Sequence, residues 1–182
     1  MIDFIRKNVS VPVKRVIDPT FLLTADDYQK ITSPRLIPEK YILLYSRRYN
    51  KEMDEFTDKL AEQYGYRVVE ISLRATNSYK HKMFYEAGVE DFLSLTKYAE
   101  IIVTNSYHGA IFAIQTQRPF YVFCREQANT KIPQMLHLLG LSDRLVSSPG
   151  QKNHEPNYCS VNEKLNELRE ESLSFLKNEL ME

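Results

Sequence analysis

The chain has 182 residues, with 24 Lys and Arg balanced by 24 Asp and Glu and an ordinary apolar content of 43%. That length suits one domain with a real core, and two only if both were small. The absence of net charge excludes a field that would draw the chain to nucleic acid or to an anionic membrane.

No apolar run approaches the length of a membrane span, and the amino terminus, residues 1–7, lacks a signal-peptide pattern. Cys124 and Cys159 form no C-x-x-C pair, which speaks against a disulfide framework or a zinc site. The expectation is a soluble, reduced, cytoplasmic protein without stable membrane insertion and without a nucleic-acid partner.

Residues 1–40 read as a lead-in to a domain. Val11–Ile17 is at most an extended edge piece ended by Asp18-Pro19, Asp26-Asp27-Tyr28 starts a short helix, and Ser33-Pro34 and Ile37-Pro38 break the chain again. The regular pattern covers residues 41–182. Tyr41–Tyr45 reads as a buried strand followed by Ser46-Arg47-Arg48. Asn50 caps a helix with Met53, Phe56, Leu60 and Tyr64 on one face, and Gly65 ends it in a left-handed cap. Residues 66–73 form the second strand of a βαβ unit, so the sheet is expected to be parallel.

Residues 74–88 are polar and read as a loop. A helix over 89–99 leads to the apolar strand Ile101-Ile102-Val103, then to the turn Thr104–Gly109 and a buried helix running to Gln117. Phe120–Phe123 is another strand, with Cys124 and Arg125 at its carboxyl end. Thr130 caps a helix whose apolar residues are Ile132, Met135, Leu136 and Leu139, closed by Gly140. Arg144–Val146 reads as a short last strand, and Ser160-x-x-Glu163 as the capping box of a final helix facing inward through Val161, Leu165 and Leu168. Strands alternating with helices give an α/β class: a Rossmann-like three-layer domain with a mainly parallel sheet of about five strands.

A parallel sheet gathers the carboxyl ends of its strands on one edge, where open α/β sheets bind ligands. There the pattern brings together Ser46, Arg47 and Arg48, the turn Thr104-Asn105-Ser106-Tyr107-His108-Gly109, and Arg125, with Lys131 opening a nearby helix. Guanidinium forks and helix N-terminal amides suit a small, multiply charged anion. His108, the titratable group of the turn, is the candidate general acid or, equally, a helix-capping residue. A helix N-terminus favours the neutral ring and a bound phosphate the protonated one, so the acid form is expected with an anion in place. Side chains alternate at a strand end, so one of Arg47 and Arg48 faces the cleft, with Arg47 preferred. Asn105 and Ser106 can equally hold the turn, and Gly109 allows close approach to the backbone. Cys124 reads as a small buried residue, and His81, His137 and His154 as solvent-facing. No metal site, G-x-G-x-x-G or P-loop is present.

Five segments in order, Asp18–Leu23, Tyr41–Tyr45, Gly88–Leu93, Val103–Gly109 and Leu139–Arg144, with Arg118–Phe123 as the following strand, resemble the polysaccharide pyruvyl transferase family. The resemblance implies one half of a GT-B-like fold, and transfer of the enolpyruvyl group of phosphoenolpyruvate to a sugar hydroxyl pair as a pyruvate ketal, in cell-surface or exopolysaccharide synthesis. It implies His108 as the catalytic residue. Ser46, Arg47, Thr104, Asn105, Ser106, Gly109, Arg125 and Lys131 are then expected around the donor, with no cofactor beyond that substrate. Only the carboxyl half of the family's pattern is matched, and residues 1–23 resemble the tail of an amino-terminal domain that would be the partner. Many members carry arginine where this chain has Ser106, leaving Arg47 or Lys131 to make that contact. The competing readings are a GT-B glycosyltransferase half using a nucleotide sugar and a non-catalytic binding module.

Overall fold

The structure is a computed structural model that describes residues 2–11, 13–124, 131–146 and 155–181. Helices α1 (Ile2–Asn8) and α2 (Ala25–Gln29) lie in the lead-in; then come β1 (Tyr41–Tyr45), α3 (Lys51–Tyr64), β2 (Arg67–Ile71), β3 (Lys82–Phe84), α4 (Val89–Lys97), β4 (Ile101–Thr104), α5 (Tyr107–Gln115), β5 (Phe120–Val122), α6 (Lys131–Leu138) and α7 (Tyr158–Met181). All strand pairs are parallel, in the order β3-β2-β1-β4-β5. The expected parallel, Rossmann-like architecture is therefore present.

Successive strand residues point to opposite faces, and both faces are buried, which is why the strands read as continuous apolar runs. Leu43, Val69, Ile102 and Phe120 join Leu95 of α4, Ile111 and Ile114 of α5, Leu136 of α6 and Leu165 of α7 in one cluster. Ile42, Leu44, Val68 and Val103 pack on Met53 and Leu60 of α3 in the other. The helix ends are chemically specified. Asn50 accepts from the Met53 amide at 2.9 Å, and Gly65 closes α3 at φ 66°. Gly140 follows α6 at φ 71°.

The lead-in is fastened to this domain. Phe21 and Ile37 belong to the larger core cluster. Gln115 donates to the carbonyls of Thr20 and Leu23, and Arg169 to that of Phe21. Ser33 and Pro34 bond to α4 through Asp91 and Ser94. The expected short helix at Asp26 forms, with a Thr24–Asp27 capping box.

Several sequence expectations are corrected. Residues 13–17 pair with no strand among the described residues; the Ile17 amide donates instead to Ser172 of α7. The 74–88 stretch contains β3, too short and too exposed at the sheet edge to show as an apolar run. Arg144–Val146 is not a strand: residues 142–144 make a 3-10 turn, and among the described residues the contact with β5 is a single bridge of Leu145 to Val122, with the Val146 amide donating to the Val122 carbonyl. The last helix starts at Tyr158, where Asn157 rather than Ser160 accepts an amide, that of Ser160. The expected Thr130 cap lies outside the described residues, as does His154.

His81 is the largest departure, because it is buried rather than solvent-facing. Its Nδ1 lies 2.7 Å from Glu70 Oε2 and its Nε2 2.9 Å from Asp58 Oδ1. Asn77 donates to Glu70 and to Asp54, and Lys80 pairs with Asp58. Glu70 stands inside an apolar strand, where a buried carboxylate demands partners. The loop after β2 returns to supply them. Burial disfavours the charged forms, but the mutual hydrogen bonds outweigh it: His81 is pushed up, and Glu70 and Asp58 are pulled down. Burial raises Asp54, only partly offset by the Asn77 bond.

Because the folded His81 binds its proton more tightly than the unfolded chain does, its stabilisation is complete below about pH 6.5 and is lost as pH rises through the elevated value. Melting temperatures of wild type and H81Q, measured from about pH 6 to pH 9, should converge on the alkaline side. H81A, which strands a buried Glu70, should lose roughly 3–5 kcal/mol in urea titrations near neutrality.

Candidate functional site

β1 and β4 are neighbours at the sheet centre, but the chain leaves β1 toward β2 and leaves β4 toward β5. Diverging connections open a crevice at the carboxyl ends of such a pair. In this sheet that position is formed by residues 46–48 after β1 and residues 105–109 after β4.

Side chains of the β4 turn bind these two segments together. Thr104 Oγ1 donates to the Tyr45 carbonyl at 2.7 Å and accepts the Ser106 amide at 3.0 Å. Asn105 Oδ1 accepts the Arg47 amide at 2.9 Å, and its Nδ2 donates to the Arg48 carbonyl at 2.7 Å. Ser106 caps α5 by accepting the Gly109 amide. The amides of Tyr107 and His108, in the first turn of α5, have no intrahelical acceptor.

The sequence-predicted residues therefore fall into two groups. Ser46, Thr104, Asn105, Ser106 and Gly109 are buried, and the polar side chains among them hold the turn. Gly109 has a packing role: a Cβ there would lie 2.4 Å from Thr104 Oγ1 and 2.9 Å from the Tyr45 ring. Its lack of a side chain lets α5 start against β4 and β1. His108, Arg47 and Arg48 are exposed. Among the described residues neither arginine has a carboxylate within ion-pair distance. Lys131 is exposed as the first residue of α6. Arg125 lies outside the described residues. Cys124, expected to be buried, is exposed. Tyr45 packs on Phe92 and Tyr107 is half-buried against the core, consistent with packing roles.

One rim residue escaped the sequence reading. Arg74, in the stretch taken for a plain loop, donates from Nη2 to Ser46 Oγ at 2.8 Å. The available signal was the charged Glu70 within Val68-Val69-Glu70-Ile71, which required partners from an adjacent segment.

The crowding at Gly109 yields a direct test. G109A should destabilise the chain by about 1–3 kcal/mol through displacement of Thr104 or Tyr45; unchanged urea stability would contradict the packing role.

Among solved structures, the chain is similar to the UDP-GlcNAc 2-epimerase of Methanocaldococcus jannaschii, at 20% identity and TM-score 0.45, covering 78% of this chain and 42% of that one. It is also similar to the iron-containing glycosyltransferase TibC of enterotoxigenic E. coli, at 14% identity and TM-score 0.44, covering 76% and 47%. A third is the E. coli ADP-heptose lipopolysaccharide heptosyltransferase II, at 15% identity and TM-score 0.40, covering 91% and 56%. The chain thus spans about half the length of these structures. No curated protein sequence matches it significantly. The sequence model of the polysaccharide pyruvyl transferase family matches residues 1–124, a span running from α1 through β5 and including the whole of the crevice between β1 and β4. The chain belongs to the polysaccharide pyruvyl transferase family.

Proposed function

We propose that this chain is the donor-side domain of a pyruvyl transferase that takes phosphoenolpyruvate and delivers its three-carbon unit to a pair of sugar hydroxyls. The observation that carries the reading is the exposed His108 at the start of α5, beside a crevice rimmed by the exposed Arg47 and Arg48. An anion with both phosphate and carboxylate needs several separated positive groups, and this edge presents them. Arg47, Lys131 and the free amides of α5 are the donor-binding groups in this reading.

The chemistry asks for one well-placed acid. A proton is added to the methylene carbon of the donor, which makes C2 electrophilic. One sugar hydroxyl adds at C2, the bond from C2 to the phosphate oxygen breaks, and the second hydroxyl closes the ketal. Of the two hydroxyl protons, one balances the new methyl group and the other leaves with phosphate. His108 supplies the first proton and is recharged from the acceptor. The acceptor sugar is held by an amino-terminal domain facing the same edge, and the protein works in the cytoplasm on a precursor of a cell-surface or exported polysaccharide.

Phosphoenolpyruvate should raise the melting temperature of this chain, whereas UDP should not; a shift with UDP alone would favour a nucleotide-sugar enzyme. In the full-length protein, H108A should lose about 10²- to 10⁴-fold in turnover. Its melting temperature should stay unchanged because the ring is exposed. Near-normal turnover would remove His108 from the mechanism.

A further inference from the structure

The loop after β2 reaches the same sheet edge as the candidate site, and Arg74 is where the two meet. Its backbone amide donates to Ser72 Oγ at 3.0 Å, which fixes the residue's direction, and its guanidinium lies 5.5 Å from the Tyr49 ring centroid. Nη2 donates to Ser46 Oγ. Ser46 in turn donates to the Arg48 carbonyl at 2.8 Å, the same oxygen that accepts from Asn105. One hydrogen-bonded chain therefore runs from Arg74 through Ser46 and Arg48 to the β4 turn.

The charge of Arg74 is only loosely matched where it sits. The nearest carboxylate oxygen is Glu70 Oε1 at 4.0 Å, the limit of an ion pair. The other Glu70 oxygen is held by His81 and Asn77, and Asp58 is matched by His81 and Lys80. The Arg74 side chain keeps 26% of its surface exposed. A half-buried guanidinium with one fixed N–H, an aromatic stack and open donors is a preorganised fork for an oxyanion.

We propose that Arg74 is an anion-binding residue of this site, taking a phosphate or carboxylate oxygen beside Ser46. The assignment deepens the donor-side reading above and rests on it for the identity of the anion. The buried Glu70–His81 pair is what places it, by holding the loop after β2 against α3.

Inorganic phosphate and phosphoenolpyruvate titrated calorimetrically into the wild-type chain, R74Q and R74K provide the test. R74Q should bind both anions at least about tenfold more weakly. R74K, which keeps the charge without the planar fork, should be weakened about threefold, and it carries the test if R74Q does not fold. Arg74-dependent binding of phosphate without any binding of phosphoenolpyruvate would support the Arg74 assignment while removing the donor reading. Equal affinity in wild type and both variants, or no binding of either anion by wild type, would overturn the Arg74 assignment.

Discussion

The amide of Asn105 is the joint on which this edge of the molecule depends. With one side chain it accepts from the backbone of Arg47 and donates to that of Arg48, so the segment leaving β1 is locked to the turn leaving β4. Those two segments belong to strands whose connections diverge, and without a crosslink each would be an independent loop. Buried hydrogen bonds of this kind are costly to leave unmade. Thr104 and Ser106 add two contacts within the same turn, and Thr104 a third to the Tyr45 carbonyl of β1. The result is a rigid floor made of neutral polar side chains, with the charged ones standing on it. His108, Arg47 and Arg48 owe their exposure to that division: the residues between them are turned inward and fully engaged.

The second organising constraint is the charge placed inside β2. Glu70 cannot be left alone in an apolar strand, and the chain answers with His81 and Asn77, which also engage Asp58 and Asp54 of α3. Gathering them pulls the loop after β2 against the sheet edge and presents Arg74 at Ser46. A buried charge network that looks purely internal thus shapes the rim of the crevice.

Much of the architecture was legible in the residue pattern because burial on both faces forces unbroken apolar strands. Tyr41–Tyr45 and Ile101–Val103 could hardly read otherwise, and Asn50, Gly65 and Gly140 mark helix ends through their own chemistry. What stayed hidden was whatever depends on distant partners. β3 is a strand only because β2 offers it an edge, and Arg144–Val146 is not one because its contact with β5 among the described residues is a single bridge at Val122. His81 looked like a loop histidine because nothing local reveals that Glu70 and Asp58 lie on either side of it. At the site, the sequence located the turn but could not separate side chains that hold it from those that face outward. Thr104, Asn105 and Ser106 resolve to the first kind, His108 and Arg47 to the second, and Gly109 to close packing of α5 on Thr104 and Tyr45.

The central claim is positional: a small anion is bound where β1 and β4 diverge. Backbone amide resonances followed by NMR during a titration with phosphoenolpyruvate test it most directly. The account predicts saturable shifts concentrated at residues 46–48 and 106–109, with those of α2 and the far end of α5 unmoved. Shifts centred on α2 and the carboxyl end of α5, or none at saturating ligand, would contradict it.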